Sequence, residues 1–260
     1  GILSKQVTVA PGNGALGLPG TIGTVLLSKA ATGEPELLLD GASFTAWRTA
    51  AAAALATAQL APQNARRAVL FGCGTQAETQ LIGLMSARPL EEILVIGRTE
   101  EAANRFIERC KAQHASLLEA LTVPALRAGT FRPSWLRSAD IVVTATTSPT
   151  PLFTLDDLSP GTHVAAIGGF RPGMIEFDPA LACAADAFVE SRTVAAEESG
   201  ELIAAVEQGH CTPEDWTEFG TVLAGNHPGR RRDEDITLFK SVGHAAFDLF
   251  AARALADLPA

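Results

Sequence analysis

A short apolar run, Ala68-Val69-Leu70-Phe71, leads without a break into Gly72-Cys73-Gly74-Thr75-Gln76-Ala77. Four consecutive apolar residues closed by glycine read as a strand buried on both faces. The GxGxxA spacing that follows leaves the backbone few options. Gly72 permits a tight turn, Gly74 lets a ligand approach the main chain, and Ala77 keeps the next helix close to the strand. The free N–H groups at the start of that helix attract an anion. Gly72, Gly74, Thr75, Gln76 and Ala77 are therefore the expected contacts of a dinucleotide pyrophosphate. The unit they open runs from about residue 68 to about residue 168.

The rest of the chain is consistent with that unit. Residues 93–96, 141–144 and 164–167 read as further buried strands, and residues 100–114 as a helix. Apolar runs that alternate with helices indicate an α/β fold, a doubly wound parallel sheet covered on both faces. Ahead of it, residues 5–9, 21–28 and 36–39 read as strands joined by Gly- and Pro-rich turns. Residues 43–60 form an alanine-rich helix with Ser43 as its expected cap. Its small side chains suit close packing against another helix or a cofactor. A last helix is expected over 242–258.

Bulk properties exclude several classes. Hydrophobic residues are 47% and charged residues 19% of the chain, enough for a buried core. A net charge of −9 with no basic cluster makes nucleic acid and anionic membranes poor candidates as partners. The run Arg230-Arg231-Arg232 is followed by Asp233-Glu234-Asp235 and reads as a solvated loop. No apolar run reaches the roughly 18 residues of a membrane span. The four cysteines show no CxxC or zinc-ligand spacing, so no metal site is expected. Free thiols in a reducing, cytoplasmic setting are the simplest account. The chain opens at Gly1 without Met, as if in mid-strand, and a preceding segment is expected.

Cofactor type is read at the end of the second strand of the unit. An acidic residue there would hold the ribose 2′-hydroxyl of NAD, but this chain has Gly97-Arg98-Thr99. Arg98 can pair with a 2′-phosphate, a charge-assisted bond worth roughly 1.5–3 kcal/mol. The expected cofactor is NADP(H), with NAD(H) the second option. Thr144, Ala145 and Thr146 follow a buried strand and are expected to line the ribose side, and Gly168 to give the nicotinamide room.

Taken together these residues resemble one family. Lys5-Gln6-Val7, Pro11-Gly12-Asn13, Leu39-Asp40-Gly41 and Arg48-Thr49-Ala50-Ala51 precede the Gly72 loop. Ser138-Ala139-Asp140, Gly168-Gly169-Phe170-Arg171-Pro172, Glu198-Ser199-Gly200 and Phe239-Lys240-Ser241-Val242-Gly243 follow it. In order and spacing the chain is similar to the ornithine cyclodeaminase/μ-crystallin family over essentially its whole length. The resemblance implies a substrate-binding and dimerisation domain over residues 1–60 and a Rossmann domain over 61–240. A C-terminal helix over 241–260 would return to the first domain. It implies a homodimer, and members longer at the N-terminus, where an arginine for the substrate carboxylate is usual.

The resemblance also suggests roles. Lys5 matches the active-site lysine, as an acid or as a holder of the substrate carboxylate. Arg48 and Thr49 match positions that reach the cofactor phosphates or the substrate. Thr21 is expected on a strand edge facing the nicotinamide, and Ser241 as a nicotinamide-side contact. Cyclodeaminases and related alanine dehydrogenases carry an aspartate directly after the glycine pair, where this chain has Phe170. A phenyl ring takes no proton. Phe170 is instead expected to wall the substrate ring, as in the branch that reduces the cyclic imino acids Δ1-pyrroline-2-carboxylate and Δ1-piperideine-2-carboxylate. Two alternatives stay open. One is ornithine cyclodeaminase, alanine dehydrogenase or N-substituted amino acid dehydrogenase chemistry. The other is NADPH-dependent small-molecule binding without catalysis. His244 and, less so, His163 are further acid candidates, and Asp178 and Glu198 read as solvated or capping carboxylates.

Overall fold

The computed structural model describes residues 1–18 and 20–258 and divides into two units. One is Gly1–Thr49 with His244–Ala260, the other Ala50–Gly243. In the first, strands β1 (Ile2–Val9), β2 (Thr21–Ser28) and β3 (Pro35–Asp40) form an antiparallel sheet in that order. Val25 faces Lys5 across one pairing and Leu39 across the other. Inward residues alternate along the strands, as a half-covered sheet requires. Val25, Leu27, Phe44 and Ala252 form its core, with Leu3, Leu37, Leu39 and Leu249 packed on them.

The second unit holds an eight-stranded sheet in which every pairing is parallel. Its strands are β4 (Arg67–Phe71), β5 (Glu92–Ile96), β6 (Ala125–Gly129), β7 (Ile141–Thr144), β8 (His163–Ala166), β9 (Asp186–Val189), β10 (Thr217–Glu218) and β11 (Thr237–Lys240). Their order is β10-β9-β11-β8-β7-β4-β5-β6. Chain direction across the sheet reverses at β4, so β4 and β7 are neighbours although β5 and β6 lie between them in sequence. All of β7 and β8 is buried, which explains their unbroken apolar runs. The helix Thr75–Ala87 packs on the helix Gly41–Leu60 through small residues. A Cβ at Gly83 would lie 3.2 Å from the Ala50 carbonyl oxygen and 3.4 Å from Ala54 Cβ.

Several expectations shift. The long helix begins at Gly41, and Asp40 rather than Ser43 caps it. The Ser43 N–H donates to Asp40 Oδ1 at 2.7 Å. A carboxylate at that point also meets the positive end of the helix dipole. The last helix spans only Ala245–Ala256, because Gly243 turns the chain at φ +96° and His244 Nδ1 caps by accepting the Ala246 N–H. Arg230 is not part of a solvated loop. Its Nε donates to the Leu60 carbonyl at 2.8 Å, closing the end of the long helix. Strands β6, β9, β10 and β11 lie outside the runs read as strands: β6 and β10 form the two edges of the sheet, and β9 and β11 are only four residues long. No helix among the described residues is long and apolar enough to cross a membrane.

The expectation of four free thiols is overturned. Cys183 and Cys211, 28 residues apart, form a disulfide with a Cα–Cα distance of 5.6 Å, and only Cys73 and Cys110 are free. No spacing rule reports such a pair, because the fold brings together a residue before β9 and one beyond the helix Gly200–Glu207. The thiol count therefore carries no argument about compartment. Thiol titration of the unfolded, unreduced protein should give half the value found after reduction. Equal values would contradict the pairing.

Candidate active site

The crevice at the carboxyl ends of β4 and β7 is where an open α/β sheet binds ligands, because the connections leave in opposite directions there. Gly72 ends β4 with φ +117°, a conformation that side chains rarely adopt, and a Cβ on it would press into the Ala145 carbonyl at 2.5 Å. Gly74 precedes the helix Thr75–Ala87, and a Cβ there would meet nothing within 4 Å. Ala77 is fully buried against the sheet, while Thr75 is exposed. Gln76 Oε1 is buried and has no hydrogen-bond partner among the described residues. An open glycine, a helix start and an orphaned amide oxygen fit a dinucleotide.

At the end of β5, Arg98 is exposed. Thr99 Oγ1 is used by the protein itself, accepting the Ala102 N–H at 3.2 Å to cap the helix Glu100–Gln113. No carboxylate ends this strand.

The other wall of the crevice is fixed by a residue that sequence reasoning missed. Glu176 is fully buried and accepts five hydrogen bonds. Its Oε2 takes Thr144 Oγ1 (2.8 Å), the Gly168 N–H (2.7 Å) and the Gly169 N–H (3.1 Å). Its Oε1 takes the N–H and the hydroxyl of Thr146, both at 2.7 Å. Any side chain at Gly168 would collide with Thr146 and with this carboxylate, so the room at Gly168 is taken up by the chain itself. Glu201, also fully buried, accepts the Glu176 N–H at 2.8 Å and the Ser199 hydroxyl at 2.8 Å. Lys240 Nζ lies 3.2 Å from Glu201 Oε2 and donates to the Gly169 carbonyl at 2.7 Å. Buried charges of this kind persist only when paired and fully hydrogen-bonded.

In the first unit, β1 presents Lys5, the helix Gly41–Leu60 presents Arg48, and the helix Ala245–Ala256 presents Asp248. Lys5 Nζ donates to both Asp248 oxygens at 3.2 Å. Arg48 Nε lies 2.9 Å from Asp248 Oδ1, an ion pair without hydrogen-bond alignment, and Arg48 Nη1 has no hydrogen-bond partner among the described residues. The Arg48 side chain is only 9% exposed. Burial, and next the Arg48 charge, lower the Lys5 pKa, while Asp248 opposes both. Asp248 had been passed over, although an acid within Phe247-Asp248-Leu249-Phe250 is a signal of a buried partner. Thr49 is buried in this unit and Thr21 starts β2, half-buried.

The remaining candidates sit as follows. Ser241 is buried at the end of β11, where its hydroxyl donates to Glu190 and its N–H to the Ala166 carbonyl. Phe170 is 40% exposed, with the Arg171 guanidinium 5.0 Å from its ring centre. His163 is no acid: burial, then Arg230 and Arg88, push its pKa down to about 3, and it lies at the far end of β8. His244 serves as a helix cap. Asp178 accepts the Ala180 N–H, and Glu198 is exposed.

Strand order, glycine loop and buried clamp define a dinucleotide-binding α/β protein of the doubly wound kind. The chain belongs to the ornithine cyclodeaminase/mu-crystallin family, whose sequence profile matches residues 2–258. A Bacillus cereus protein named Δ1-pyrroline-2-carboxylate reductase is 38% identical over 253 residues, 96% of this chain and 75% of that one. The structure of Thermococcus litoralis Δ1-pyrroline-2-carboxylate reductase in complex with NADH and L-proline superposes with a TM-score of 0.88. It shares 29% identity, over 98% of this chain and 77% of that one. An archaeal alanine dehydrogenase dimer with bound NAD gives a TM-score of 0.86 at 31% identity, over 98% and 76%.

Replacing Asp248 by Asn removes the one influence that holds the Lys5 pKa up. The Lys5 pKa should fall further below the ordinary lysine value. Lysine-labelled NMR across a pH titration reads it directly, since the chain has only four lysines. An unchanged or raised Lys5 pKa would contradict the role given to Asp248.

Proposed function

We propose that this chain reduces a cyclic imino acid, Δ1-pyrroline-2-carboxylate or Δ1-piperideine-2-carboxylate, to L-proline or L-pipecolate, using a reduced nicotinamide dinucleotide. The observation that carries the reading is the Lys5–Arg48–Asp248 cluster. Two cations share one carboxylate, and a buried guanidinium nitrogen has no hydrogen-bond partner among the described residues. The charge balance there accepts one more anion, and an α-carboxylate matches the planar donors of arginine. The reductase relatives, one with L-proline and NADH bound, support the same substrate class.

When bound, a reduced nicotinamide would supply the hydride that the imine carbon accepts. The protein's own residues do the rest. Arg48 holds the carboxylate and so fixes which carbon is presented. Lys5 supplies the proton that makes the imine electrophilic, and burial, which lowers its pKa from the ordinary lysine value, makes it a readier donor. Phe170 offers an apolar surface to the ring. Because a phenyl ring takes no proton from an amino group or a water, Phe170 weighs against cyclodeaminase and alanine dehydrogenase chemistry.

Two finer readings belong to the same proposal. Arg98 and the absence of a carboxylate at the end of β5 favour NADP(H) over NAD(H). The outer face of the three-stranded sheet exposes Ile2, Ile22 and Leu38 at 55%, 47% and 69%, which favours a homodimer.

Dinucleotide oxidation followed at 340 nm should show turnover with a cyclic imine and none with pyruvate plus ammonia or with L-ornithine. Lys5→Ala should lower that turnover by about 10²–10⁴-fold while dinucleotide affinity is kept. Unchanged turnover would exclude Lys5 as the acid, and absence of turnover with the intact protein would favour binding without catalysis. Arg98→Ala should raise the KM for NADPH by about ten- to a hundredfold, from a bond worth roughly 1.5–3 kcal/mol, with little change for NADH. Equal effects on the two would contradict the NADP(H) preference.

A further inference from the structure

A chain of polar contacts reaches the glycine loop from the helix Glu100–Gln113. His114 Nε2 lies 2.7 Å from Glu78 Oε1, and Arg109 Nε lies 3.4 Å from Glu78 Oε2. Arg109 Nη2 then donates to the carbonyl of Cys73 at 3.2 Å. Arg109 is steadied by the buried Phe106 ring, whose centre lies 5.3 Å from its guanidinium carbon.

The carbonyl that Arg109 holds belongs to the peptide joining Cys73 to Gly74. In a trans peptide the C=O and N–H point in opposite directions, and there are no cis peptides among the described residues. Fixing the Cys73 carbonyl toward Arg109 therefore turns the Gly74 N–H the other way. That N–H makes no hydrogen bond among the described residues, and the space beside Gly74 is open.

Charge points to the same role. Glu78 sits in the first turn of the helix Thr75–Ala87. A carboxylate there suits the helix dipole but repels an anion bound at the same helix start. Arg109 offsets that charge from the solvent side.

We propose that Arg109 is a positioning residue for the dinucleotide. It aims the Gly74 N–H at the pyrophosphate and offsets the Glu78 charge beside it. The inference rests on the reading of the Gly72–Gly74 loop as the pyrophosphate site.

The test is a fluorescence titration of NADH and NADPH against the full chain, with melting temperatures measured alongside. Arg109→Met should weaken both dinucleotides by about tenfold, the scale of one lost charge-assisted hydrogen bond. It should raise the dinucleotide KM and leave kcat at saturation unchanged. Arg109→Lys should recover part of the affinity. Adding Glu78→Gln to Arg109→Met should also tighten binding, since it removes the repulsion that Arg109 offsets. A merely structural role would not give that recovery. Arg109→Met binding as tightly as the unaltered chain would overturn the inference. So would a loss that follows the melting temperature and is not recovered by Glu78→Gln. If the unaltered chain binds neither dinucleotide, the reading of the loop itself fails, and this inference with it.

Discussion

The crevice depends on one carboxylate. Glu176 ties the segment after β7 to the segment after β8 by gathering three N–H groups and two hydroxyls around two oxygens. Without it, five donors would lack this acceptor, and the three fully buried ones would each cost about 1–3 kcal/mol. Glu201 holds the Glu176 backbone in turn, and Lys240 joins Glu201 to the Gly169 carbonyl. The glycines of this region serve the network as much as any ligand. Gly168 is small because Thr146 and Glu176 already occupy the space beside it. A wall built this way is rigid before any ligand arrives, which lowers the ordering cost of binding.

The first unit uses charge in the opposite sense. Its cluster is left incomplete, with Lys5 and Arg48 sharing Asp248 and one guanidinium nitrogen unmatched among the described residues. A saturated network such as that around Glu176 stabilises a shape. An unsaturated one retains affinity for a partner, which is why the proposed substrate carboxylate is assigned to it. Asp248 also keeps two like charges close, which burial alone would drive apart or neutralise.

What was legible in the sequence follows the range of the forces involved. The β4–loop–helix unit was readable because an apolar run and two glycines act within ten residues. The buried strands β7 and β8 were readable for the same reason. Glu176, Glu201 and Lys240 look locally like surface charges, and only contacts between distant segments make them buried. The pairing of Cys183 with Cys211 is of the same kind. Lys5 and Arg48 came from the family resemblance rather than from spacing, and Asp248 carried a local signal, an acid among Phe247, Leu249 and Phe250. The cap of the long helix was misplaced by three residues because Asp40 and Ser43 are both good caps, and the register of β3 decides between them.

The central claim is direct hydride transfer to an imino acid. It is tested most directly by incubating the protein with a cyclic imino acid and NADPH or NADH carrying deuterium at C4 of the nicotinamide. The amino acid formed is then analysed by mass spectrometry and NMR. The account predicts one deuterium, placed on the α-carbon of L-proline or L-pipecolate. Product without the label at that carbon, or oxidation of the dinucleotide with no amino acid formed, would contradict it.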